Sequence, residues 1–125
     1  MKPSKKELNE KQWLFFYSLL QERGNESEIS GKTLRGDINS CWFHHILPKS
    51  KYPELRYCPD NIIILTKEEH DEIEAGVEYE LVKKRKRDIE QRFDELKEMT
   101  NDYLDNFLNP IYKHAKENAT FFNKK

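Results

Sequence analysis

The sequence predicts a mostly helical α+β chain with one small antiparallel hairpin, and three stretches predict it. Residues 5–22, KKELNEKQWLFFYSLLQE, carry apolar side chains at helical spacing. Residues 77–99 are a long run of strong helix formers. Between them NIIILT (61–66) is the strongest strand in the chain. The β-prone SCWFHHI (40–46) precedes it across a loop, LPKSKYPELRYCPD (47–60), that holds three prolines.

In residues 5–22, Leu8, Gln12, Phe15 and Leu19 form one i, i+3/i+4 row, and Trp13, Phe16 and Leu20 form the row beside it. Gly24 and Asn25 stop the helix. SEISGKTLRGDIN (27–39) has two glycines and several turn formers and reads as loop. Residues 40–75 then read strand, ordered loop, strand, helix. Thr66 caps that helix, with Glu69 in capping-box register. Gly76 breaks or kinks the chain. Val82, Ile89, Phe93, Leu96, Tyr103 and Phe107 form an apolar seam, with Lys86 and Thr100 at its remaining positions. The seam suits one bent helix or two consecutive ones, packed on the N-terminal helix or on a second copy of the chain. Asn109-Pro110 ends or kinks it. The tail IYKHAKENATFFNKK reads as a final short helix with a loose end.

The 125 residues suit a single domain, 1–125, made of the N-terminal helix, a central unit over 27–75 and C-terminal helices over 77–125. Nothing resembles a membrane span. The opening is basic and then apolar, but WLFFYSLL is short and runs into QERGNE without a small-residue cleavage site. A cytoplasmic protein with no membrane partner is expected. The two cysteines, Cys41 and Cys58, support no disulfide framework and read as reduced thiols. Charge is unevenly spread. Residues 31–66 carry a net +2 and residues 67–100 a net −4, so any electrostatic footprint for nucleic acid is local.

Three of the four histidines, His44, His45 and His70, fall in one short segment. A hairpin followed by a helix brings the end of its first strand beside the helix's first turn. That gathers the histidine pair, Asn61 and His70 around one point. Imidazole is a good ligand for first-row metals and the natural proton carrier near neutral pH. Neighbouring strand residues point to opposite sides, so His44 and His45 suit two different tasks.

HHILPKS, DNIIILT and KEEH, in that order, resemble the three motif blocks of the HNH endonuclease family, and the Ser30-Gly31 turn resembles its lead-in. The resemblance covers residues 27–75 and implies a ββα-metal (His-Me finger) unit in a small free-standing member. It implies His44 as a metal ligand, His45 as the general base for the attacking water, Asn61 as the residue that orients His45, and His70 as a second ligand. Glu74, one turn beyond His70, is a candidate third ligand, and Asp60 a candidate support for a ligand histidine. The implied cofactor is one divalent ion, Mg, Mn, Zn or Ni. The implied partner is DNA, double-stranded, cut to 5′-phosphate and 3′-hydroxyl ends. Lys49, Lys51 and Arg56 in the basic loop are candidate phosphate contacts. The family often adds cysteine-based structural zinc, which two cysteines do not provide.

Other readings stand beside this one. A non-catalytic, metal-stabilised nucleic-acid-binding module would keep the fold and lose the chemistry. A homodimer through residues 77–108 would make the hairpin unit incidental, although a dimeric nuclease would also suit a double-strand break. KKRKR (83–87) wraps more than a full helical turn and reads as a solvated, ion-paired face, through Glu80–Lys84, Lys84–Asp88 and Asp88–Arg92. The biological setting, phage or defence-associated among others, does not follow from the residues.

Overall fold

A computed structural model describes residues 4–118. Residues 1–3 and 119–125, which include the end of the tail expected to be loose, lie outside it. The first helix, α1 (Lys5–Arg23), starts where the Ser4 hydroxyl accepts the Glu7 N–H at 3.1 Å and stops at Gly24, whose φ of 91° suits a residue without a Cβ. Leu14, Phe15, Phe16 and Leu19 are its buried face, close to the two rows expected.

The hairpin pairs β1 (Phe43–His45) with β2 (Ile62–Ile64) antiparallel, in the register Phe43↔Ile64, His44↔Ile63, His45↔Ile62. Both strands are shorter than expected. Residues Ser40–Trp42 form a 3₁₀ turn, because the Asn39 side chain accepts the Cys41 N–H at 3.0 Å and caps it. Pro59–Asn61 forms another, fixed by Pro59 at its first position.

Layers cover both faces of the hairpin. Phe43, Ile62 and Ile64 pack with α1, Leu108, Tyr112 and Ala115, and Phe43 stacks on Phe16 at 4.1 Å between ring centroids. Ile63 packs on the other side with Ile46, Leu47, Leu55, Leu65, Ile89 and Leu96. All three β2 isoleucines are fully buried, and each contributes about 1.5–3 kcal/mol of apolar burial. Burial on both faces is why NIIILT reads as a continuous apolar run and not as an alternation.

Helix α2 (Lys67–Glu74) begins with the expected capping box. Thr66 Oγ1 accepts the Glu69 N–H at 3.1 Å, and Glu69 Oε1 accepts the Thr66 N–H at 2.8 Å. The Ser27 hydroxyl donates to that same oxygen at 2.6 Å, tying the preceding loop to the helix start. After the turn at Gly76 come α3 (Glu80–Gln91) and α4 (Phe93–Tyr103), so the seam is two consecutive helices broken at Arg92. Ile89 and Leu96 of the seam pack within the chain, under the hairpin, while Phe107 at its end is exposed.

Asn109-Pro110 does not end the helical run. A π turn, Leu104–Leu108, leads into α5 (Asn109–Asn118). The Asn109 N–H reaches the Leu104 carbonyl, one residue beyond the usual α-helical partner. This wider turn admits a proline that an unbroken α-helix would reject. Among the described residues no helix is long and apolar enough to cross a membrane.

Glu28, in the loop before β1, organises this frame. Its N–H donates to the Ile64 carbonyl at 2.8 Å, and its Oε2 accepts the Ile64 N–H at 2.7 Å. Arg23 reaches the same carboxylate at 3.1 Å and Arg85 at 2.8 Å. Burial opposes ionisation of Glu28, but Arg85, the Ile64 N–H and Arg23 outweigh it and hold the carboxyl below its usual range.

Candidate active site

The three-residue strand β1 places its histidines on opposite faces. His45 shares a face with Phe43 and looks toward α1, with its ring 6.4 Å from that of Phe16. His44 shares the face of its register partner Ile63 and looks toward α2, with its ring 6.0 Å from that of His70 and steeply inclined to it.

His45 is held by one directional contact: Nε2 lies 3.1 Å from the Arg56 carbonyl oxygen. A carbonyl only accepts, so Nε2 carries the proton and Nδ1 carries the lone pair. Burial pushes the imidazole down to about 4, and the nearby Lys49, Arg56 and His44 add to that against the opposing pull of the Arg56 carbonyl. His45 is therefore neutral throughout the physiological range.

Asn61 is fully buried. Its Oδ1 accepts the Leu47 N–H at 2.8 Å, and its Nδ2 donates to the Leu47 carbonyl at 3.0 Å and the Leu55 carbonyl at 3.3 Å. Its backbone carbonyl takes the Ile46 N–H at 2.8 Å. One side chain thus fastens the start of the proline-bearing loop to its far half. Arg56, whose carbonyl holds His45, follows Leu55 directly. Asn61 does not touch His45; the loop it fastens is the link between them.

On the other face, burial and His70 lower the His44 imidazole, and Glu74 pulls the other way. His70 Nε2 stands 3.5 Å from Glu74 Oε1, one turn on, as the spacing implied. Its Nδ1 is buried without a hydrogen-bond partner, since Asp71 at 3.8 Å is too far to bond. A divalent ion fits this donor set in kind: two imidazoles, one with a partnerless ring nitrogen, beside a carboxylate. Among the described residues, though, no three such side chains converge as a ready metal cluster.

The loop cations divide. Lys49 Nζ and Arg56 Nη2 both donate to Gln12 Oε1, at 3.2 and 3.0 Å, which gathers them beside His45. Lys51 is exposed on the loop. Asp60 pairs with Arg92 at 3.8 Å and so braces α3–α4, not a histidine. Tyr57 is buried and donates to the Leu8 carbonyl at 3.2 Å. It anchors the loop.

Two contributions escaped the sequence. Gln12 reads only as a member of an apolar helix row, and its partners lie 37 and 44 residues away. The basic run on α3 does not form the expected i+4 pairs. Lys83 pairs with Glu80 at 3.4 Å and Glu78 at 3.7 Å, Arg85 with Glu28, and Arg92 with Asp60 and Glu95. Spacing alone does not reveal the distant partners, Glu28 and Asp60. Comparisons with family models, curated proteins and solved structures found no match.

Proposed function

We propose that the chain is a metal-dependent HNH-type endonuclease that hydrolyses phosphodiester bonds in double-stranded DNA, built on a ββα-metal unit over residues 27–75. The observation that carries this reading is the split histidine pair: His44 faces His70, while His45 is fixed through Nε2 with its Nδ1 lone pair unspent.

In this reading His45 Nδ1 takes a proton from the water that attacks phosphorus. Asn61 keeps the Arg56 carbonyl in place, so the imidazole holds one tautomer and one orientation. Lys49 and Arg56 draw the phosphodiester toward His45 and disfavour its protonation. An imidazole near 4 is always unprotonated at neutral pH but is a weak base. A divalent ion (Mg, Mn, Zn or Ni), held by His44, His70 and Glu74, would supply the Lewis acidity that compensates.

The competing reading is a non-catalytic, metal-stabilised nucleic-acid-binding module of the same fold, which would use the same donor set and lack only the chemistry. Supercoiled plasmid incubated with each ion, and with EDTA, separates the two. The nuclease reading expects nicked or linear product that needs the ion. DNA binding with no cleavage of any substrate would support the module.

A further inference from the structure

A groove of about 300 Å³ leaves His44 and runs between the end of α2 and helix α3. Ile73 and Val82 form its apolar walls, and Lys83, Lys86 and Glu78 are on its rim. Lys83 and Lys86 are three residues apart and share a face of α3. The KKRKR run is therefore divided by the fold. Arg85 is committed to Glu28, Lys84 and Arg87 are exposed outside the groove, and Lys83 and Lys86 turn to the His44 side.

The two groove lysines are available to an anion. The contacts of Lys83 with Glu78 and Glu80 are long and exposed, and such pairs hold a lysine only weakly. Among the described residues Lys86 has no ion-pair partner. The other loop cations, Lys49 and Arg56, sit on the opposite side of the histidine pair, against Gln12. Positive charge thus flanks the pair on both sides, although the segment that holds α3 is acidic overall.

We infer that this groove carries the DNA strand onward from the phosphate at His44, with the neighbouring phosphodiester bound by Lys83 and Lys86. This rests on the nuclease reading and gives the strand a direction: from Lys49 and Arg56, past the histidines, to α3. A protein that neutralises a phosphate with a lysine releases a counterion, so each such contact adds about 0.9 to the slope of log affinity against log salt.

The test is fluorescence anisotropy of a labelled duplex in EDTA, so that nothing is cut, over a salt series. Three proteins are compared: wild type, Lys83→Gln/Lys86→Gln, and Lys84→Gln/Arg87→Gln. The last removes the same charge from the same helix outside the groove. Thermal melts confirm that each is folded. The groove pair is expected to lose about one unit of salt slope and tenfold or more in affinity at low salt, with the control pair near wild type. If both pairs behave alike, the groove path is wrong while the nuclease reading stands. If the wild type binds no DNA even at low salt, the groove path falls, and plasmid cleavage with each ion decides the nuclease reading.

Discussion

Replacing Asn61 by alanine tests how the loop is held. The substitution removes the acceptor of the Leu47 N–H, at 2.8 Å, and the donor to the Leu47 and Leu55 carbonyls, at 3.0 and 3.3 Å. Leu47 and Leu55 are both buried. Each buried polar group left without a partner costs about 1–3 kcal/mol, and the vacated volume adds to that. The expected loss is about 3–5 kcal/mol. In a chain of this length 1 kcal/mol corresponds to about 4 °C, so Tm should fall by about 12–20 °C. Urea unfolding followed by tryptophan fluorescence, with a thermal melt, measures both. Asn61→Asp is a second arm. It keeps an acceptor for the Leu47 N–H but sets a carboxylate against two carbonyl oxygens, so its deficit against wild type should shrink as pH falls and the carboxyl gains a proton. A loss below 1 kcal/mol in Asn61→Ala would refute the reasoning, because it would mean that the loop holds its course without the amide.

Further expectations concern charge, capping and metal. The His45 imidazole is depressed from 6.5 to about 4 on folding. The unfolded chain therefore binds the extra proton first, and stability is fully present above pH about 6.5 and falls toward pH 4, by up to about 3 kcal/mol. In EDTA, His45→Phe should flatten that part of the pH–stability curve, and an unchanged curve would count against the assignment. Glu28→Gln should cost about 2–4 kcal/mol in urea unfolding, because it leaves Arg23 and Arg85 without their shared carboxylate. Thr66→Ala should cost about 1 kcal/mol by removing the cap of α2. Calorimetric titration with Zn²⁺ or Ni²⁺ should show a large loss of affinity in His70→Ala, and a loss in Glu74→Gln only if that carboxylate swings onto the ion.

Local signals proved legible. The α1 rows, the stop at Gly24 and the Thr66–Glu69 box all depend on neighbours within a few residues, and the structure has them. The order strand, loop, strand, helix was legible for the same reason, as was the division of His44 and His45 between faces, which follows from the two-residue period of a strand. Features decided by a capping side chain, an irregular turn or a distant partner were not. Ser40–Trp42 is aromatic and β-prone, yet the Asn39 side chain turns it into a 3₁₀ coil. Asn109-Pro110 reads as an end or a kink, and the π turn that carries the helix through it has no sequence signature. Asp60 looked like support for a histidine because it adjoins Asn61, but it sits on the outer side of its turn, where Arg92 meets it. Glu28, Gln12 and the two groove lysines gain their meaning only from packing across the chain.

The division of labour between the two histidines is the core of the functional account, and one paired measurement addresses it. His45→Ala and wild type are each titrated with metal and then given supercoiled plasmid with Mg²⁺, Mn²⁺, Ni²⁺ or Zn²⁺. The account predicts that His45→Ala binds the ion as the wild type does but cuts at least about a hundredfold more slowly. Cleavage by His45→Ala at the wild-type rate would contradict it.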